Sequence, residues 1–201
     1  PFIFLFSPSS FINDKFAKTK VIRICAVFGV VISVAVLISY LLGAFGVAFA
    51  LTLILAAQSA IYSPAKYGII KALVGTERLG TANGVIQALT IVAILVSSFL
   101  FSFIFENLYI QGENSEEILK SVYPIGIFLV VFSALEAFFA YKLPYISETN
   151  EQSGEFELKR YINLSYLREN LKEVRSDKNI WLSIAGLSIF WGISQIIIAA
   201  F

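Results

Sequence analysis

The stretch VIRICAVFGVVISVAVLISYLLGAFGVAFALTLILAAQSAIYSPAKYG, residues 21–68, decides the fold. Between Arg23 and Lys66 it carries no charged side chain, and Gly43 and Gly46 interrupt it near the middle. A helix needs about 20 apolar residues to cross the hydrocarbon core of a bilayer. The run therefore holds two spans, from about Val21 to Tyr40 and from about Ala44 to Ser63, with the two glycines marking a tight turn between them. Outward from it, a third span runs from about Ala82 to Phe105, a fourth from about Val122 to Tyr141 and a fifth from about Ile180 onward, while the opening PFIFLFSPSSFI reads as the tail of another. Composition agrees, because 58% of residues are hydrophobic and only 14% charged, far less charged surface than a soluble domain carries. The expected fold class is all-α, a polytopic helical membrane protein. The chain has no Met and opens inside an apolar run, so it reads as an internal piece of a longer protein.

The basic residues set an expected orientation. Lys15, Lys18, Lys20 and Arg23 precede the first full span; Lys66, Lys71 and Arg78 separate the second from the third; and seven more fall from Lys142 to Lys178. These three segments hold 14 of the 15 basic residues, and alternation of the spans puts all three on one side. By the positive-inside rule that side is the cytoplasm, so loops around 13–23, 66–82 and 144–179 are expected there. The remaining connection, ENLYIQGENSEEILKSVYP, carries four glutamates against Lys120 alone, as an external loop does.

The edge of the opening run, YSPAKYG at residues 62–68, holds the first candidate site residues. Pro64 has no amide hydrogen and frees a carbonyl one turn back, so the helix is expected to kink or end there, with Gly68 letting the chain turn. Lys66 then lies near the interface, where its ammonium snorkels toward phosphate, and Tyr67 has the amphipathic ring favoured at headgroup depth. An interface anchor that merely ends a helix explains the same pair. Deeper polar residues are few. Glu136 falls inside the fourth span, about 9 Å along the helix from Lys142, and an intramembrane acid needs a partner or a cavity. It is a candidate cation or proton site, or a structural partner for Lys66 or Lys71. Gln58, Asn83 and Gln87 could line a headgroup path, with Gln195 similar in kind; interhelical hydrogen bonds are the ordinary alternative. Cys25 is alone and reads as a small buried hydrophobe.

The connection after the fourth span begins acidic and aperiodic, SETNEQSGE, and continues NLSYLRENLKEVRSD, where Leu164, Leu167, Leu171 and Val174 share one helical face. This amphipathic helix suits a membrane surface or a bundle face.

Two segments carry a family resemblance. SSFINDKFAKTKVIR resembles the cytoplasmic loop between the second and third helices of the major facilitator superfamily: Asp14, Lys15 and Lys18 match its pattern, while Ser10 and Ala17 stand where glycines are usual. The resemblance implies a charge-relay contact between helix ends, which makes Asp14, Lys15 and Lys18 gating residues, together with Pro64 and Gly68. SPAKYGIIKALVGTERLGTANGVIQ, residues 63–87, resembles the helix 4 to helix 5 region of the lysophospholipid transporter branch. Here Ser63, Pro64, Lys66, Tyr67 and Gly68 are followed by Glu77, Arg78 and Leu79 and by Ala82, Asn83 and Gly84. The implied organisation is an N-terminal transmembrane half over residues 1–143 (partial helix 2 to helix 6), a cytoplasmic central loop over 144–179, and the first helix of the C-terminal half over 180–201. The implied function is lysophospholipid translocation across a bacterial inner membrane by alternating access; the alternatives are a major facilitator exporter of drugs or small metabolites and the membrane portion of a fused acyltransferase or acyl carrier protein ligase protein.

That branch is sometimes fused to acyltransferase or acyl carrier protein ligase domains, so the resemblance implies a fused or associated acyltransferase as a partner of the full-length parent. This chain itself holds no histidine, which removes the His and Asp pair of glycerolipid acyltransferases, hydrolase triads and His-based metal sites. No glycine-rich nucleotide loop is present, and no cofactor is expected. A net charge of +1 with cations distributed by topology gives no support to nucleic-acid binding.

Overall fold

The computed structural model describes residues 2–109, 114–146, 161, 163 and 165–200. They are helical almost throughout: α1 (Phe2–Lys15), α2 (Lys18–Leu41), α3 (Phe45–Val74), α4 (Leu79–Leu108), α5 (Ser115–Ser121), α6 (Tyr123–Lys142), α7 (Ser165–Ser176) and α8 (Lys178–Ala200). Among the described residues, α2, α3, α4 and α6 are long and apolar enough to cross a membrane. The protein is a multi-pass helical membrane protein. Two compact units divide the chain, Pro1–Gly154 and Glu155–Phe201.

In the first unit α2 is central, packed between α3 and α6, while α1 lies against α3. One face of α2 explains this. Ile22, Cys25, Ala26, Gly29, Ile32, Ser33 and Val36 recur at three and four residue intervals and are all buried. Most are small, which is how helices approach closely in lipid, where no hydrophobic force drives them together. Gly126 of α6 makes the same allowance from the other side: a Cβ there would stand 3.2 Å from the Leu37 Cα. Buried Val21, Ile22, Cys25 and Ala26 of α2 meet Ala65 and Ile69 of α3 and Ala140 of α6 at the basic end of the bundle. A smaller cluster of Ala48, Leu119 and Val122 seals the opposite end. No residue of α4 is buried within this unit.

The turns correct two expectations. The break between α2 and α3 falls on Gly43, whose φ of +69° is the left-handed conformation that favours glycine, whereas Gly46 lies in the first turn of α3. More consequentially, α3 does not end at Pro64, and Gly68 does not turn the chain. The helix continues through both to Val74 and stops at Gly75, φ +73°. The acidic loop also contains a short helix, α5, that the sequence pattern did not suggest.

In the second unit α7 has Leu167 and Val174 half-buried and Leu171 exposed; Leu164 and the acidic stretch 147–155 lie outside the described residues. Asp177 caps α8, its Oδ1 accepting from the Asn179 and Ile180 amides at 2.8 and 3.3 Å, two of the donors that a helix start leaves unpaired.

Candidate substrate path and gating contacts

Pro64 cannot donate to the Ala60 carbonyl, one turn earlier in α3. That carbonyl instead accepts from Ser9 Oγ of α1 at 2.8 Å. One turn further along α1, Asn13 Nδ2 donates to the Ile61 carbonyl at 3.1 Å and to the Ser9 carbonyl at 2.7 Å. The proline gap is therefore filled from a neighbouring helix, as membrane helices tolerate proline when a partner supplies the missing donor. Ser9 and Asn13 are both buried, and neither was singled out in the sequence. Their i, i+4 spacing on α1 was the available signal.

Gly68 makes room for a side chain. A Cβ on it would lie 2.7 Å from Lys18 Cε and 3.0 Å from Lys18 Cδ, so the Lys18 stem crosses α3 at a residue that has no side chain. This contact joins the two segments that carried separate motifs. Asp14 and Lys15 lie at the exposed end of α1, Lys15 Nζ standing 5.3 Å from the centre of the Phe11 ring.

Lys66, Tyr67, Asn83 and Gln87 gather along the α3–α4 hairpin near its basic end. Gln87 Nε2 donates to Tyr67 Oη at 3.3 Å, and Lys66 Nζ lies 5.7 Å from the centre of the Tyr67 ring. Asn83 sits one turn before Gln87 on the same face of α4. Its Oδ1 is buried and meets no donor among the described residues. The cluster thus holds a cation, an aromatic hydroxyl, an amide and a buried, unsatisfied acceptor.

Gln58 does not join it. Its Nε2 donates to the Cys25 carbonyl at 2.6 Å, across a face of α2 where Gly29 leaves space for the amide. Glu136, exposed on α6, lies near Tyr62 of α3 and within electrostatic range of Cys25. It forms no ion pair with Lys66 or Lys71; the nearby Lys142 Nζ stands over the Phe138 ring at 4.6 Å.

The family profile described as Major Facilitator Superfamily matches residues 1–201. The chain belongs to the Major Facilitator Superfamily. It is similar to the lysophospholipid transporter LplT of Photorhabdus laumondii, 33% identical over 135 residues, which take in 67% of this chain and 30% of that protein. The match spans less than a third of that relative. No solved structure matches the chain.

In this superfamily chain the α1–α2 junction, flanked by Asp14, Lys15 and Lys18, leads straight into a contact that the sequence did not reveal. Arg23, read at first only as a topology marker, donates through Nε to the Ala140 carbonyl at 3.3 Å and through Nη2 to the carbonyls of Tyr141 and Leu143 at 3.2 and 2.7 Å. Its guanidinium also lies 5.5 Å from the centre of the Tyr141 ring. Four residues earlier, Thr19 Oγ1 donates to the Pro144 carbonyl and accepts from the Ile146 amide, both at 3.1 Å. The start of α2 thereby caps the end of α6 and holds the chain as it leaves, with a cation against the negative end of the helix dipole.

Proposed function

We propose that this chain is part of a transporter that moves lysophospholipid, such as lysophosphatidylethanolamine, across a bacterial inner membrane by alternating access. The observation that carries the reading is the cluster on the α3–α4 hairpin. Lys66 offers a cation to a phosphate, and the unsatisfied Asn83 Oδ1 offers an acceptor to a headgroup ammonium. Tyr67, held by Gln87, supplies the amphipathic ring suited to the interface between them. The likeness to LplT supports the same cargo. Pro64, Gly68, Asp14, Lys15 and Lys18 act as gating residues in this reading, because the Ser9, Asn13 and Lys18 contacts tie α1 and α2 to α3 at one end of the bundle. Glu136, with Tyr62 as its neighbour, is the candidate coupling group. Residues 1–143 form the end of helix 2 through helix 6, residues 144–179 the cytoplasmic connection and residues 180–201 helix 7. A fused or associated acyltransferase fits this role, since delivered lysolipid is a substrate for reacylation.

The test is uptake of labelled lysophosphatidylethanolamine into proteoliposomes holding the full-length protein. Lys66→Ala is expected to lower uptake about tenfold or more, the scale of one charge-assisted hydrogen bond, and Glu136→Gln to abolish its dependence on an ion gradient. Absence of uptake by folded wild-type protein overturns the lysophospholipid reading and leaves a superfamily transporter of other cargo.

A further inference from the structure

Lys20, Ile24 and Phe28, spaced four apart, form a ridge along α2, and an apolar groove runs down either side of it. The groove toward α1 and α3 has a volume of about 530 Å³ and is walled by Ile12, Val21, Ile54 and Ile61. The groove toward α6 has a volume of about 480 Å³ and is walled by Val27, Val31, Tyr141 and Tyr145. The ridge stands proud of the protein, with Ile24 59% and Phe28 48% exposed. From Lys20 to Val31 the distance along the helix is about 16 Å, which is half of a hydrocarbon core about 30 Å thick.

The head of the ridge is cationic. Lys20 is exposed and meets no acidic partner among the described residues. Arg23 uses Nε and Nη2 on the end of α6, and its Nη1 hydrogens have no partner among the described residues. Tyr141 and Tyr145 flank these cations, at the level where amphipathic rings favour the membrane interface. A charge pair at headgroup depth, aromatic flanks and two apolar grooves beside one ridge describe one class of occupant.

We propose that this face of α2 binds an anionic diacyl phospholipid of the bilayer, its phosphate between Lys20 and Arg23 and one acyl chain in each groove. The two grooves specify two chains, which separates this lipid from a single-chain cargo on α3 and α4. A phosphate bridging Lys20 and Arg23 would also bind the start of α2 to the end of α6, strengthening the clamp at Ala140–Ile146. The site does not rest on the lysophospholipid reading, because its residues lie outside the Lys66 cluster.

The experiment is photolabelling of the full-length protein in vesicles, comparing phosphatidylglycerol with phosphatidylcholine, each carrying a diazirine in one acyl chain, and mapping the labelled peptides. Labelling of residues 20–31 and 141–145 is expected to be about fivefold greater with phosphatidylglycerol, the contribution of one cation facing an anionic lipid. Lys20→Glu should reduce it to the phosphatidylcholine level and Lys20→Arg should preserve it. Because Lys20 is exposed, neither change threatens folding. Equal labelling by both lipids overturns the proposal, as does labelling that Lys20→Glu leaves unchanged. Displacement of the label by excess lysophosphatidylethanolamine overturns it too, by assigning the grooves to cargo.

Discussion

Ser9 and Pro64 are a pair that only three dimensions can join. Proline inside a helix removes one hydrogen bond and costs about 3 kcal/mol in water, and the orphaned Ala60 carbonyl would cost more in lipid if left bare. The Ser9 hydroxyl offsets part of that cost. Ser9→Ala is therefore expected to destabilise the protein by about 1 kcal/mol. In a Pro64→Ala background, where residue 64 regains an amide for Ala60, the same change should cost little. A double-mutant cycle from unfolding in mixed micelles measures the coupling, and equal costs in both backgrounds would show that Ser9 and Pro64 act independently. Gly68 poses a steric version of the question. Gly68→Leu places a branched side chain where the Lys18 stem lies, so it should lower thermal stability in micelles. Shortening that stem with Lys18→Ala should recover part of that stability, whereas Gly68→Leu with no recovery would mean that its fault lies elsewhere in α3.

Among the elements, α6 is the one whose end depends on another helix. Its last carbonyls are received by Arg23, and the exiting chain is held by Thr19. Arg23→Gln removes the charge and most of the fork of donors, so amide exchange over residues 140–146 is expected to quicken by about tenfold or more, the scale of a charged hydrogen bond. Exchange elsewhere in α6 should change little, which distinguishes a frayed end from a destabilised helix. At the opposite end, the α2–α3 junction depends on Gly43, whose left-handed backbone also packs against Glu116 of α5. Lys120 donates to Glu116 Oε1 at 2.6 Å and holds that carboxyl below its usual range. Gly43→Ala meets both the backbone penalty of about 1–2 kcal/mol and the Glu116 side chain. Loss of thermal stability well beyond that of Gly46→Ala, where nothing lies within 4 Å of a new Cβ, is the expected result.

For the whole molecule, long apolar runs made the spans legible, because lipid leaves a helix as the only economical way to satisfy a single segment's backbone. The glycine at 43 was legible as a turn for a similar reason. What the sequence concealed depends on neighbours: a breaker such as Pro64 is overruled by Ser9, a presumed turn at Gly68 is a seat for Lys18, and Arg23 is a helix cap as well as a marker of sidedness. Of the candidate site, the Lys66, Tyr67, Asn83 and Gln87 grouping follows from folding one hairpin, since Tyr67 and Gln87 lie at similar distances from the Gly75–Arg78 turn. Gln58 and Glu136 could not be placed without knowing which helices α3 and α6 face. The distribution of cations gives the molecule one remaining testable property, its orientation. With Cys25 and any other native cysteine of the full-length protein replaced by serine, single cysteines at Thr76 and Ser115, both exposed, report opposite ends of the bundle. In intact spheroplasts an impermeant maleimide should label Ser115→Cys at once and Thr76→Cys only after permeabilisation. The reverse pattern would place the Lys66 cluster at the outer face, and the Lys20 and Arg23 pair with it, so that both would meet the outer leaflet's lipids instead of the inner leaflet's.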